Sequence, residues 1–330
     1  MPQKKPPQNP TRAAHSSGQP PTVSPWWLLG TLGAVVVGAV VLAWVAFCFV
    51  FWQGSWQLLY HPSSQLTRTP AEAGIPFSPV AFATTESGVP RLSGWWIPAA
   101  PNSPFANYVA LYFHGANGNL SDTVGALQRL HNAGLTVFAI DYRGYGQSQF
   151  VHPSEAHWRQ DADWAIQYLT STRHVPPGSI LLVGQGLGAD LALEVAAAHP
   201  DLAGVVLQQI REDAADVVFH DPRARALPAH LLVKDRWNLD PPAAALRIPS
   251  LWFDWFVTPG KIGRPDRPEP FQKVIAPHAL VWLVPSHTQD QDFDRLFQQW
   301  LRDFPDRTPD FPLCQLSSGL PCSMDTSNSN

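Results

Sequence analysis

The sequence has few cysteines and few charged residues, and these two shortages exclude several classes of protein. Three of the 330 residues are cysteine, and no cysteine–histidine cluster has the spacing of metal ligands, so we expect no bound metal. Charged residues make up 15% of the chain and the net charge is −4, with no basic run of the kind that binds nucleic acid. Apolar residues, at 45%, suffice for a substantial core, which excludes a wholly disordered protein.

Charge is entirely missing from residues 26–52. As a helix this run would be roughly 40 Å long, enough to cross the hydrocarbon core of a bilayer with some tilt. Tryptophans at both ends, Trp26 and Trp27 at one and Trp52 and Trp56 at the other, suit the two membrane interfaces. We therefore predict a transmembrane helix over 26–52. A cleaved signal peptide is the alternative, but the run is long for one and lacks a clean cleavage site.

The charges that flank this helix predict its orientation. Three cations lie within residues 1–25, whereas Arg68 alone follows soon after the helix. The positive-inside rule then places the N-terminus in the cytoplasm and the globular part on the other side of the membrane. A stripe of small residues also permits close pairing of two helices in a homodimer, namely Gly30, Ala34 and Gly38.

Outside the helix the chain divides by composition. Residues 1–25 and 305–330 are polar and proline-rich and are predicted to be disordered, and 53–75 form a linker. Residues 76–304 alternate buried strand patterns with helical ones, which predicts a mostly parallel sheet with helices on both faces. In the final segment Cys314 and Cys322 are spaced for a small disulfide loop, or else remain two free thiols.

A serine is absent where the local pattern most calls for one. Residues 180–183 read as a buried strand, Gly184-Gln185-Gly186-Leu187-Gly188 as a tight turn, and 189–198 as a helix. This is the strand–turn–helix of a nucleophile elbow, G-x-S-x-G, with Gly186 in the place of the serine. The flanking glycines suit the close approach of strand and helix, and glycine at the apex accepts the strained backbone easily.

A second glycine-containing turn, residues 114–119, follows another buried strand and predicts the rest of an oxyanion hole. The N–H groups of Ala116 and Leu187 are the two expected donors. A plain strand-to-helix turn is the alternative. The segment Asp141–Ser148 either walls the same pocket or is a structural loop held by an Asp–Arg pair. The side chains expected to line the pocket are His114, Asn117, Tyr142, Tyr145 and Gln185.

An acid and a histidine follow in the order that such a site requires. His287 comes after the last predicted strand, where a general base belongs, although an exposed loop histidine is the simpler interpretation. Asp254, directly after another buried strand, is the preferred acid, and it could equally be a solvated loop carboxylate. The weaker candidates for the acid are Asp235, Asp240 and Asp266.

Together these motifs make residues 59–301 resemble the α/β hydrolases, and most closely their membrane-anchored, serine-aminopeptidase-like branch. The resemblance implies an α/β-hydrolase fold and Ser-His-Asp hydrolysis of esters, thioesters or amides without metal or cofactor. It is carried by Tyr60-His61-Pro62, Gly94-Trp95-Trp96-Ile97-Pro98, His114–Asn119, Asp141–Ser148, the Gly184–Gly188 turn and Ser286-His287.

The sequence departs from this family at two places, and the departures decide the functional prediction. Gly186 replaces the serine, and a deletion precedes Asp254. We interpret the chain as a catalytically silent hydrolase homologue that binds an acyl or peptide ligand, or a partner protein. One alternative is an active hydrolase whose Asp254–His287 pair activates water in the room left by Gly186. Another is an interaction module without a pocket ligand, so whether the protein is an enzyme stays open.

Overall fold

The computed structural model describes residues 24–210, 214, 216–255, 269–283, 289–303, 314–315 and 321–322. The chain divides into two compact units, Met1–Val50 and Phe51–Asn330. The division falls near the end of the first helix, so the apolar N-terminal segment and the rest of the chain are separate bodies.

The first helix, α1, runs from Pro25 to Gly54. Its side chains are apolar on every face, and most of them are exposed, as in Trp26 and Leu42. By length and composition α1, with the short 3-10 turn Ser55–Leu58, is a candidate membrane span. A core helix of a soluble protein would be mostly buried, which this one is not, whereas a signal sequence would pass the same test.

An eight-stranded sheet forms the centre of the second unit. Its strands are β1 (Ser78–Thr84), β2 (Pro90–Ile97), β3 (Val109–Phe113), β4 (Thr136–Asp141), β5 (Ile180–Gln185), β6 (Gly204–Gln208), β7 (Ser250–Trp255) and β8 (His278–Leu283). They lie in the order β8-β7-β6-β5-β3-β4-β2-β1. Pairings of β1 with β2 and of β2 with β4 are antiparallel, and the other five are parallel, which confirms the predicted sheet.

Helices connect the parallel strands, as right-handed crossovers require. Every residue of β3 and β4 is buried, as expected for strands covered on both faces. The remaining helices are α2 (Val124–Asn132), α3 (Glu155–Gln167), α4 (Leu187–Ala198), α5 (Asp216–Phe219), α6 (Ala229–Leu232), α7 (Asp240–Ala245), α8 (Glu269–Gln272) and α9 (Gln289–Asp303).

Shorter elements complete the unit. Single-turn 3-10 helices cover Pro70–Ala73, Leu120–Thr123, Pro177–Ser179 and Pro222–Ala226, and a π turn, Tyr168–Thr172, extends α3. Two further strand pairs are outside the main sheet. His61–Pro62 pairs in parallel with Asn117–Gly118, and Cys314–Gln315 pairs antiparallel with Pro321–Cys322. The second register sets the backbones of Cys314 and Cys322 opposite each other, while their disulfide stays a prediction.

Parallel strands place their carboxyl ends at one edge of the sheet. Phe113, Asp141 and Gln185 end three of these strands, and the turns that follow them carry most of the predicted site residues. This is the edge at which open α/β sheets bind their ligands. The fold therefore brings together segments that are far apart in the sequence.

Candidate functional site

The turn between β5 and α4 has the sharp bend that its glycine pattern predicts. Gly186 has φ +56° and ψ −129°, a backbone conformation that residues with a side chain rarely adopt. Its N–H donates to the carbonyl of Gln208 on β6 (2.8 Å), and its carbonyl accepts from Ala189 N–H (2.8 Å). Both sides of the apex are thus fixed by backbone hydrogen bonds.

The three glycines of the turn are required for different reasons. A Cβ on Gly184 would overlap the backbone of Gly188 and Ala189, and one on Gly188 would overlap the carbonyls of Phe113 and His114. A Cβ on Gly186, by contrast, would meet its nearest neighbour, Gly115 Cα, only at 4.0 Å. The flanking positions have no room for a side chain, whereas the apex has room for one and lacks it.

The expected donor on the 114–119 turn is oriented by a buried histidine. His114 Nδ1 donates to the Gly115 carbonyl (2.7 Å), and the peptide that joins Gly115 to Ala116 is trans. Because C=O and N–H point in opposite directions across a trans peptide, the Ala116 N–H points away from the His114 ring. The Ala116 carbonyl is held as well, since it accepts from His61 N–H (2.9 Å) and the Tyr145 hydroxyl (2.8 Å).

The second expected donor, Leu187 N–H, belongs to the first residue of α4. N–H groups in the first turn of a helix have no acceptor within the helix, and they carry its positive dipole end. Ala116 and Leu187 both line one cavity of about 390 Å³, together with Gly186. The two residues therefore lie on the wall of one cavity, and the binding of an oxyanion by their N–H groups stays a prediction.

This cavity contains only part of the predicted pocket. Asn117 and Gln185 line it, as predicted. Its other walls come from residues that the sequence did not single out as pocket residues: Leu58, Leu59, His61, Gly115, Asp122, Thr123, Gln209, Ala214 and Val217.

The prediction that His114, Tyr142 and Tyr145 line the pocket is corrected by their burial. All three are fully buried and lie outside the cavity wall. Tyr142 stacks on Trp158 with ring centroids 3.8 Å apart, and its hydroxyl donates to the His114 carbonyl (3.0 Å). Burial raises the pKa of both tyrosines, so their hydroxyls stay neutral donors. The two tyrosine hydroxyls thus hold carbonyls of the 114–119 turn, those of His114 and Ala116.

The segment Asp141–Ser148 contains an Asp–Arg pair, as the structural-loop alternative predicted, and the carboxylate comes from Asp161, outside the segment. Arg143 donates through Nε to Asp161 Oδ1 (2.6 Å) and through its backbone N–H to Oδ2 (2.8 Å). Burial raises the pKa of Asp161 to about 6, although the charge of Arg143 opposes the shift. Asp141 instead accepts from Leu120 N–H (3.0 Å) and lies 3.4 Å from His114 Nε2.

The acid and base candidates are only partly placed. Asp254 lies near the carboxyl end of β7, where the neighbouring Phe253 pairs with Gln208 of β6. It is thus two strands from the elbow, on the expected edge. His287 and Asp266 are outside the described residues, so the Asp254–His287 pairing stays a prediction.

Two of the other acid candidates have partners elsewhere. Asp235 accepts from the Tyr60 hydroxyl (2.8 Å) and lines a different cavity. Asp240 pairs with Lys273 at the start of α7. Neither of them lines the cavity at Gly186.

His61 is the functional candidate that sequence reasoning missed. It belongs to the Tyr60-His61-Pro62 motif of the resemblance, which assigned it no role. The parallel pairing of His61–Pro62 with Asn117–Gly118 brings this residue to the cavity wall. Asp122, also on the wall, accepts from Asn119 N–H (3.1 Å) and so caps the turn.

Comparison with known proteins agrees with this geometry. Residues 106–209, about a third of the chain, match the family model described as serine aminopeptidase, S33. An uncharacterized protein of Mycobacterium tuberculosis is 29% identical over 216 residues, which are 66% of this chain and 74% of that protein. The matched segment includes the 114–119 turn and the Gly184–Gly188 turn, but neither Asp254 nor His287.

Solved structures show the fold. The Pyrococcus furiosus esterase Pf2001 superposes with a TM-score of 0.52 at 17% identity, over 76% of this chain and 97% of that one. The α/β hydrolase GrgF from a Penicillium species gives 0.51 at 18% identity, over 71% and 99%. The protein therefore has an α/β-hydrolase fold, and its central segment is similar to the serine aminopeptidase-like hydrolases.

Proposed function

We propose that this protein is a membrane-anchored, hydrolase-like binding protein that does not catalyse acyl transfer. The observation that carries the proposal is Gly186: the elbow is built, its apex faces open space, and no hydroxyl stands there. In a serine hydrolase, loss of the nucleophile alone lowers kcat by a factor on the order of 10⁶. What remains is the binding that the oxyanion hole and the cavity provide.

The cavity favours a ligand with a carbonyl or carboxylate group on an apolar chain, such as an acyl compound or a peptide. Ala116 and Leu187 supply two backbone donors on one side. Leu58, Leu59 and Val217 supply apolar surface on another. Without a serine side chain, a carboxylate can place its second oxygen where the hydroxyl of a working enzyme would stand.

Ester turnover tests the catalytic half of this proposal. The full chain in detergent is expected to leave short p-nitrophenyl esters unhydrolysed, because no covalent intermediate can form. Gly186→Ser is expected to restore hydrolysis if Asp254 and His287 are assembled as predicted. Gly186→Ala is the matched control, since it introduces the same Cβ without the hydroxyl and is expected to stay inactive.

Hydrolysis by the unaltered chain would instead support the alternative in which water is the nucleophile. In that case the activity should disappear in His287→Ala, because the imidazole would be the base. Activity that survives His287→Ala would exclude this mechanism too.

Ligand-induced thermal shifts test the binding half. Medium-chain fatty acids and short peptides with free carboxylates are expected to stabilise the unaltered chain. Val217→Glu, which places a charge on the apolar wall, should weaken that stabilisation. Ile275→Glu is the control, because Ile275 is similarly apolar and exposed but lies outside the cavity. No shift with any of these ligands would favour an interaction module with an empty pocket.

The membrane anchor is supported by the length and composition of α1. The cations before it favour a cytoplasmic N-terminus, with the hydrolase-like unit on the opposite side. Pairing of two helices through Gly30, Ala34 and Gly38 stays a prediction.

A further inference from the structure

A second cavity lies close, along the chain, to the end of α1. It has a volume of about 240 Å³ and is lined entirely by residues of the second unit. Trp52 and Trp56 contribute one wall, His152 and His157 a second, and the segment around Lys234 a third. The walls of the two cavities meet at Leu59, which lines both, whereas the residues just named line only the second.

Large apolar side chains are exposed around this second cavity. Phe150 and Leu231 are each 84% exposed, and Trp52 is 43% exposed. The Phe150 ring lies 6.3 Å from that of His152, which in turn stacks on Trp56 with centroids 4.7 Å apart. Exposed apolar groups gathered at one place mark a surface that is covered by a partner or a membrane.

The same surface offers positive charge. Lys234 is exposed, and no carboxylate pairs with it among the described residues. The Arg236 guanidinium lies 5.1 Å from the Phe219 ring and donates a hydrogen bond to the His230 carbonyl. Like Lys234, it pairs with no carboxylate among the described residues. The one acid on the cavity wall, Asp235, accepts from the buried Tyr60 hydroxyl.

His157 adds a polar group to the cavity. Its Nδ1 donates to the His152 carbonyl (3.1 Å), because a carbonyl oxygen can only accept. This bond leaves Nε2 as an acceptor, which suits a hydroxyl group of a ligand. The cavity thus combines an ammonium group, an imidazole and aromatic walls.

Chain connectivity places this surface near a bilayer, provided that α1 is the membrane anchor of the proposed function. Trp52 is part of α1, and Trp56 lies in the 3-10 turn that follows it directly. At about 1.5–2 Å of rise per residue, both lie within roughly 10 Å of the end of the charge-free run. That is the depth of lipid headgroups, where tryptophan is enriched.

From these observations we propose that the surface formed by Trp52, Trp56, Phe150, Leu231 and Lys234 docks on the anchoring bilayer. Phe150 and Leu231 insert at the boundary between the lipid headgroups and the acyl chains, as apolar residues of interfacial proteins do. The cavity between them receives the headgroup of an anionic phospholipid, whose phosphate Lys234 contacts, while His157 Nε2 accepts from a headgroup hydroxyl.

Depth-dependent quenching tests the docking. Three single-cysteine variants are made in the full chain, with Cys48, Cys314 and Cys322 replaced by serine. They are Phe150→Cys, Leu231→Cys and Ile275→Cys, and each carries an environment-sensitive fluorophore on its new cysteine. Ile275 is the matched control because it is 74% exposed and precedes β8, at the opposite edge of the sheet from the site loops. In nanodiscs with nitroxide-labelled lipid, probes at 150 and 231 should be quenched more strongly than the probe at 275, by about twofold or more.

A charge change tests the headgroup contact. Replacing a minority of phosphatidylcholine by phosphatidylglycerol should raise the ratio of docked to undocked protein, and Lys234→Gln should reduce that gain by about fivefold. Arg247→Gln, which removes one positive charge just before β7, should leave the gain intact.

Failure of the docking and failure of the anchor give different results. If α1 is no anchor, the protein will not co-float with liposomes, and the proposal falls with it. If the protein co-floats but the probes at 150 and 231 are quenched no more than that at 275, docking alone is wrong. If the fluorescence of the probes at 150 and 231 changes only when each disc holds two copies of the protein, a second chain covers the surface. The proposal is then likewise overturned.

Discussion

At the scale of single residues, the elbow separates backbone requirements from chemical ones. Gly184 and Gly188 have no space for a side chain, so the close packing of β5 on α4 depends on them. Gly186 is surrounded by open space, and only its positive φ favours glycine. In the proposed function, this turn keeps the backbone of a nucleophile elbow without its reactive atom.

Alanine substitutions should rank these glycines by the free energy of unfolding. Gly188→Ala is expected to cost at least about 3 kcal/mol, because its Cβ meets fixed carbonyls. Gly186→Ala should cost about 1–3 kcal/mol, the strain of its backbone conformation. Gly125→Ala, in α2 with nothing nearby, should be neutral or stabilising by about 1 kcal/mol. Denaturant titrations measure the three values, and a larger loss for Gly186→Ala than for Gly188→Ala would contradict the described packing.

The buried pair of Arg143 and Asp161 gives a second residue-scale prediction. Asp161→Asn leaves the buried guanidinium without its carboxylate and should destabilise the fold by about 3–5 kcal/mol. Asp163→Asn, on the exposed face of the same helix, should change stability by about 0.5 kcal/mol or less. Equal effects of the two substitutions in chemical denaturation would show that the pair is not a structural element of the loop.

At the scale of elements, the sequence predicted the framework well because its signals are local. The alternation of buried strand patterns with helical ones over 76–304 predicted the mostly parallel sheet, and the strand, turn and helix predicted at 180–198 match β5 and α4 within a few residues. The short helices α5 to α8 were not predicted, since four to six residues carry too little periodicity.

The site was less predictable because its contacts join distant segments. The turns at Ala116 and Leu187 follow from glycine patterns, and both line the cavity. Nothing in the sequence near Arg143 points to Asp161, and nothing near His61 shows that it pairs beside Asn117. The burial of Tyr142 and Tyr145 likewise depends on Trp158, which only the folded chain brings beneath the turn.

The helix α1 supports a prediction at this scale. Val37→Arg combined with Val41→Arg places two charges near the middle of the apolar run, and each should cost about 2.5–3.5 kcal/mol of insertion free energy. The fraction of protein that resists carbonate extraction from membranes should fall accordingly. Val37→Leu with Val41→Leu is the apolar control. Unchanged extraction of the arginine variant would mean that α1 does not span a bilayer.

At the scale of the whole molecule, the proposed anchor, docking surface and binding cavity draw on neighbouring parts of the chain. In the two proposals above, α1 is the anchor, and the surface that contains Trp52 and Trp56 begins at its end. The cavity at Gly186 belongs to the same unit as that surface, and Leu59 lines both cavities. A protein organised in this way would present or retain a ligand close to a membrane.

Fluorophosphonate labelling of the full chain is the most direct test of whether a preserved elbow here lacks its reactive oxygen. The probe forms a covalent bond only with an activated nucleophile, so we predict no adduct on the unaltered protein and an adduct at position 186 in Gly186→Ser. An adduct on the unaltered protein at any residue of the Gly186 cavity, located by peptide mass spectrometry, would contradict the account.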